Sequence, residues 1–226
     1  MKTVRVDLWS DFVCPWCWIA KRRLEKAVER LSGEVQVIVT NHAYRLARGM
    51  EPTDFASALK MKFGSERQAQ QMMETVTTHG AMEGLTYNFG TMRFGDTLAA
   101  HSLVKSAGTE AERNKMIEAL SLASITNGQN IFDHEVLRGI AAQVGMSAER
   151  IAGIDFNRIH EIEQDEMRAN SVANGVPLFI LNDKAYVSGA QPVEAFVSAL
   201  RQTAIEAPAS LNAEDGASCG IDGCRI

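Results

Sequence analysis

The chain predicts an α/β fold carrying an all-helical insertion, and three observations predict it. Val4-Arg5-Val6-Asp7-Leu8-Trp9 alternates as a strand does and runs through Cys14-Pro15-Trp16-Cys17 into the helix-like stretch from Trp18 to Val28. From about Pro52 to Gly175 apolar residues recur at helical spacing with no clear strand. Val176-Pro177-Leu178-Phe179-Ile180-Leu181 then reads as a strand again, and a hairpin partner and a closing helix follow it.

Each element has its own local reason. Proline is tolerated at the first helical position, where its missing N–H would have no partner, so Pro15 opens the first helix. Ile19, Leu24, Ala27, Val28 and Leu31 form its apolar stripe, and Ser32-Gly33 ends it. Val35-Gln36-Val37-Ile38-Val39-Thr40 is β-branched and reads as the second strand. Two strands joined by one helix imply a right-handed parallel unit, with functional groups gathered at the carboxyl ends of the strands. In the middle block Ser65-Glu66-Arg67-Gln68 and Thr109-Glu110-Ala111-Glu112 are capping-box patterns. Asp96, Asp133 and Asp155 stand where N-caps are expected, and Gly108, Gly128, Gly145 and Gly175 where helices end. Five to seven helices fit there, each of roughly 8–20 residues. Asn182-Asp183 is a turn signal before Ala185-Tyr186-Val187-Ser188, and Pro192 starts a helix bearing Val193, Phe196, Val197 and Leu200. After about Ala207 the chain turns small, polar and acidic and is expected to be mobile unless docked.

The composition narrows the function. At 46% hydrophobic and 23% charged the chain is an ordinary globular one, long enough to bury a core without disulfide staples. A net charge of −5 argues against a nucleic-acid partner, and no apolar stretch is long enough to cross a membrane. Met1-Lys2-Thr3 runs straight into the first strand with no apolar leader, so the expected compartment is the cytoplasm. Dithiols there are normally reduced, and disulfides that form are catalytic or redox-sensing.

Cys14-Pro15-Trp16-Cys17 is where chemistry is expected. Pro15 at the first helical position makes Cys14 the N-cap, beside the free N–H groups of Trp16 and Cys17 and the positive end of the helix dipole. That setting favours a thiolate, the species that attacks a disulfide. Cys17 lies one turn on, on the same face, as the resolving thiol. The same spacing also suits half a zinc site, with Cys219 and Cys224 as the other half, or a pair of inert buried thiols. A helix opened by proline favours redox chemistry over a zinc knuckle, so no metal is expected.

The order of elements resembles the thioredoxin-like fold as the DsbA family uses it, and most closely its FrnE-like branch. The likeness rests on Asp11-Phe12-Val13-Cys14-Pro15-Trp16-Cys17, Ala100-His101-Ser102-Leu103, Gly175-Val176-Pro177-Leu178-Phe179 and Ser188-Gly189-Ala190-Gln191-Pro192. It implies a thioredoxin-like domain from residues 1–51 and 175–206, a helical subdomain at 52–174 and a tail at 207–226 that carries Cys219 and Cys224. It implies a thiol–disulfide oxidoreductase or isomerase with Cys14 and Cys17 catalytic. Val176-Pro177 is then a cis bond facing the motif, where a trans proline opening an edge strand is the plain alternative. Pro15, Trp16, Val176 and Pro177 would bind substrate, and the backbone at Val176 would pair with an extended substrate strand. Partners would be proteins bearing disulfides or dithiols, with glutathione or a thioredoxin system as reductant and no bound cofactor. Members of this branch often carry a second C-x4-C near the C-terminus, so Cys219 and Cys224 are an expected auxiliary redox pair. Trp16 stands where the DsbA pattern has histidine, which implies a less oxidising couple than DsbA. Kappa-type glutathione transferases and 2-hydroxychromene-2-carboxylate isomerases share the layout but use serine where Cys14 stands.

Other residues carry weaker expectations. His42 follows the second strand and could face the active end, although packing is the commoner role. His101 reads as a core residue, and His79, His134 and His160 do not cluster with cysteines in the sequence. Met72, Met73 and Met82 fit a helical core or an adaptable peptide groove.

Overall fold

The structure is a computed structural model that describes residues 2–205 and the strands at 210–211, 218–220 and 223–225, the side chains only through residue 205. β1 (Lys2–Ser10) leads into α1 (Pro15–Arg30) and then β2 (Val35–Ala43). β1 and β2 pair in parallel, with Val4 opposite Val37 and Trp9 opposite His42. This is the expected unit, with β2 three residues longer than its β-branched run.

The long middle segment is almost wholly helical. β3 (Thr53–Asp54) precedes α2 (Phe55–Phe63) and α3 (Glu66–Met82), and β4 (Arg93–Phe94) precedes α4 (Leu98–Lys105) and α5 (Glu110–Ser121). A π-helical turn at Leu122–Thr126 extends α5, and α6 (His134–Gln143), α7 (Ala148–Ala152) and α8 (Ile159–Asn170) follow. The one departure from helix is the two-residue β3–β4 ladder, too short to leave an alternating pattern. Ser65, Thr109 and Asp133 cap as expected, accepting from the backbone of Gln68, Glu112 and Glu135. Asp96 accepts from Leu98 N one residue ahead of the assigned cap, and Asp155 instead closes a turn onto Asn157 N before α8. Gly128 and Gly145 follow helix caps with positive φ, whereas Gly175, also at positive φ, lies four residues past the Ser171 cap of α8 and does not close it. Gly108 has no positive φ, and its N–H is drawn to the Glu112 carboxylate, so both of these expectations are corrected.

β5 (Leu178–Leu181), β6 (Ala185–Ser188) and α9 (Val193–Ala204) close the fold. β5 pairs antiparallel with both β1 and β6, and Asn182 and Asp183 turn the hairpin at φ 50° and 57°. Pro192 is the N-cap of α9 rather than its first residue. β7 (Ser210–Leu211) adds beside β6, giving the order β2-β1-β5-β6-β7. The tail is therefore docked there, and the rest of that expectation lies outside the described residues. β8 (Ser218–Gly220) and β9 (Gly223–Arg225) form a separate hairpin, with Cys219 opposite Cys224 along the backbone.

Two apolar clusters hold this together. The larger joins β1, α1, β5 and α9 to Phe55, Leu59, Met72 and Val76 of α2 and α3. The second lies among α4, α5 and α6, and Phe12 reaches into it from the loop before the C-x-x-C. The motif loop is thus anchored to both. Met72 is core as expected, whereas Met82 is 66% exposed, which corrects that assignment. Among the described residues no helix is long and apolar enough to cross a membrane.

Candidate active site

Cys14 is the N-cap of α1 and Pro15 its first residue. Cys17 N donates to Cys14 O at 3.1 Å, closing the first turn and bringing the two side chains to one end of the helix. Both cysteines are free thiols and both are buried. The Cys17 N–H, expected to be free beside the sulfur, is thus taken by the Cys14 carbonyl, and the Cys14 sulfur makes no cap hydrogen bond to the helix amides. Cys14 Sγ instead donates to the carbonyl of Val176 at 3.8 Å. A protonated sulfur needs an acceptor, and the loop before β5 supplies one. The Val176-Pro177 bond is cis, as the resemblance implies. Val176 and Pro177 thus come to the motif from 162 residues along the chain.

The second thiol is held in its neutral form. Burial pushes the Cys17 thiol well above its ordinary value, and the hydrogen bond and charge of Cys14 push it further. The Asp11 backbone pulls it back only in part.

Asp11, three residues before Cys14, is a buried organiser. Its carboxylate accepts from Leu46 N at 2.7 Å, from Thr97 Oγ1 at 2.7 Å and from Val13 N at 3.5 Å. This ties the motif loop to the loop after β2 and to the start of α4. His101 is buried, as expected; its Nε2 meets Tyr44 O at 3.2 Å and lies 3.6 Å from Asp11 Oδ1, while its ring lies on Phe12. Nearby, Arg45 and Glu166 form a buried ion pair at 2.7 Å that fixes the loop after β2 to α8. His42 is committed elsewhere. Its two ring nitrogens meet Asp7 at 2.6 Å and Asp165 at 3.1 Å, and its ring stacks on Trp9.

The helical segment supplies contacts that sequence reading missed. Tyr87 donates its phenol hydrogen to Pro15 O at 2.7 Å. Burial holds that phenol well above its ordinary value, and the sulfurs of Cys14 and then Cys17 add to the effect. It therefore stays a donor. The rings of Trp18, Tyr87, Phe89, Phe55 and Phe94 follow one another at 5.3–6.2 Å. Beside them a groove of about 310 Å³ opens next to Pro15, lined by Val13, Met50, Phe55, Met61 and Met72 among others. His79, which sequence spacing set apart from the cysteines, has its ring 5.4 Å from that of Trp16. No local pattern announces Tyr87 or His79, because both reach the motif only through tertiary packing. The side chains of Cys219 and Cys224 lie outside the described residues, although β8 itself lies against α1.

Comparison with known proteins agrees with the fold. The sequence pattern of the DSBA-like thioredoxin domain matches residues 5–201. A probable DsbA oxidoreductase from Streptomyces coelicolor is similar at 31% identity, with 99% of each chain covered and a TM-score of 0.81. A 2-hydroxychromene-2-carboxylate isomerase shares the fold at 16% identity, covering 89% of this chain and 97% of that one, with a TM-score of 0.65. So does the cytosolic disulfide reductase DsbM from Pseudomonas aeruginosa with GSH, at 15% identity, 88% and 98% coverage and a TM-score of 0.61. No curated protein sequence matches the chain. With that domain pattern running over nearly all of its length, and a two-cysteine helix start set against a cis-proline loop, the chain belongs to the DSBA-like thioredoxin-domain family.

Proposed function

We propose that this protein exchanges disulfides with protein or small-thiol substrates through Cys14 and Cys17, as an oxidoreductase or isomerase. The observation that carries the reading is a pair of buried thiols at one helix start: Cys14, the N-cap of α1, donates to the Val176 carbonyl, and Cys17 is held protonated by burial and by Cys14. Cys14 as thiolate attacks one sulfur of a substrate disulfide. A mixed disulfide forms, and the other substrate sulfur leaves with the electron pair of the broken bond. Cys17 then loses its proton and attacks Cys14, releasing the second substrate thiol and leaving a Cys14–Cys17 disulfide. The reverse sequence oxidises a substrate dithiol.

Ionisation of Cys14 removes the donor that Val176 O holds in the resting state, and a substrate backbone N–H takes its place. Pro15, Trp16 and Pro177 frame the docked strand, and the groove beside Pro15 takes an apolar substrate side chain. No cofactor takes part beyond the thiols; glutathione or a thioredoxin system serves as reductant in a cytoplasmic, reducing compartment. The hairpin bearing Cys219 and Cys224 lies against α1, which supports an auxiliary pair that exchanges with Cys14. After mild oxidation of Cys17→Ser, mass spectrometry should find Cys14 linked to Cys219 or Cys224; finding neither removes the auxiliary role.

The main test is a pair of variants on reduction of insulin by dithiothreitol. Cys17→Ser should accumulate a mixed disulfide at Cys14, and Cys14→Ser should lose exchange. Exchange that persists in Cys14→Ser defeats the reading. Glutathione-dependent isomerisation of a hydroxychromene carboxylate that survives Cys14→Ser would favour the isomerase class instead.

A further inference from the structure

Trp16 is 2% exposed, and its indole N–H has no hydrogen-bond partner among the described residues. A buried donor left unpaired is unfavourable, and native folds rarely keep one without a use. This one sits between the two cysteines on the first turn of α1. Its ring is held by His79, which in turn is held from two sides. His79 Nδ1 meets Arg23 Nη2 at 3.2 Å, and since the guanidinium can only donate, Nδ1 accepts. Burial, and then the charge of Arg23, pull His79 below its ordinary value, so the ring is neutral with its hydrogen on Nε2. Arg23 is itself anchored by Glu83 at 2.8 Å and by the carbonyl of Ala190, in the turn after β6. The Trp16 ring is thus braced by a partly buried relay rooted in two other elements.

We propose that the Trp16 indole N–H is a docking donor for a main-chain carbonyl oxygen of the substrate next to its reacting disulfide, and that His79 positions the ring for it. The proposal rests on the exchange reading above and narrows its substrate class to peptide and protein disulfides. Cys14 and Trp16 are both buried and stand two residues apart at the start of α1, so substrate reaches either of them only when the packing around the motif turn opens. Val176 O accepts from the substrate and Trp16 donates to it, so the docked strand is held through both kinds of backbone group.

Trp16→Phe tests this, because it keeps the ring and deletes the donor. Steady-state exchange is measured with a disulfide-bridged peptide and with hydroxyethyl disulfide, which has no amide carbonyl. The expected result is a KM for the peptide raised about three- to tenfold, the worth of one net hydrogen bond, with kcat little changed. The KM for hydroxyethyl disulfide should change by a smaller factor than that for the peptide. His79→Leu should raise the peptide KM alone by a similar factor, and the double variant should add little, as for two residues serving one contact. An unchanged peptide KM in Trp16→Phe overturns the proposal, whatever happens to stability. An equal change with both substrates also overturns it, since the ring then acts on the sulfurs rather than on peptide backbone. Loss of all turnover in the unaltered protein defeats the exchange reading itself, a result distinct from a shifted KM.

Discussion

Tyr87 and Pro15 are joined by a 2.7 Å hydrogen bond that crosses from the helical segment to the C-x-x-C turn. The bond is to a carbonyl of the first helical residue, so it bears on the angle at which α1 leaves the motif. Tyr87→Phe removes it and leaves the ring packing in place. The expected loss of stability is about 0.5–1.5 kcal/mol. Urea unfolding should show a lower midpoint with an unchanged slope, and a rise in midpoint would show that the bond does not hold the turn.

Gly80 explains why Tyr87 lies where it does. A Cβ on Gly80 would overlap Cε2 and Cδ2 of the Tyr87 ring. Gly80→Ala should therefore destabilise, because about 1–3 kcal/mol of overpacking exceeds the helix gain of about 1 kcal/mol. In a Tyr87→Ala background the ring is gone and the same substitution should stabilise by about 1 kcal/mol. Thermal melts of the four proteins give the comparison, and failure of the sign to reverse would mean that the ring is not the obstacle.

The buried thiol of Cys17 couples folding stability to pH. Its folded value is raised, by burial first, so above the ordinary thiol range near pH 8.5 the unfolded chain has released a proton that the folded chain keeps. Cys17 therefore contributes stability that is whole below that range and falls as pH rises through the folded value. The reduced protein should lose stability across alkaline pH, and Cys17→Ala should flatten that part of the curve. Unfolding free energies from pH 7 to 10 measure it, and parallel curves would show that Cys17 is not the source.

Arg45 and Glu166 are nearly solvent-free, with Arg45 also 3.3 Å from Asp96. Glu166→Gln strands a buried guanidinium beside the loop that Asp11 holds. The expected cost is about 3–5 kcal/mol. Denaturant melts should show it, and a loss below about 1 kcal/mol would mean that Asp96 and water suffice for Arg45.

The parts of the site that were legible from residues are those built by neighbours in the chain. Pro15 after Cys14 marked a helix start, and Cys17 one turn on marked the second thiol, because cap chemistry and helical spacing act over a few residues. The Val176-Pro177 bond was reached only through family resemblance, since a proline at a strand start has a plain trans reading. Tyr87 escaped notice, His79 was set apart from the cysteines and Asp11 was read only as part of the motif stretch, all for want of a local signal. A tyrosine in a loop or a histidine in a helix shows no periodic pattern that names its distant partner.

Sequence alone determined the strand–thiol–helix start, the helical middle and the closing hairpin, because hydrophobic period, caps and turns are local preferences. Only the tertiary structure decided which sulfur faces a carbonyl and which is sealed in its neutral form. A thiol's proton affinity depends on the dielectric and dipoles around it, and for Cys17 these come from the packed core and from Cys14, while the carbonyl that Cys14 faces belongs to Val176, 162 residues away.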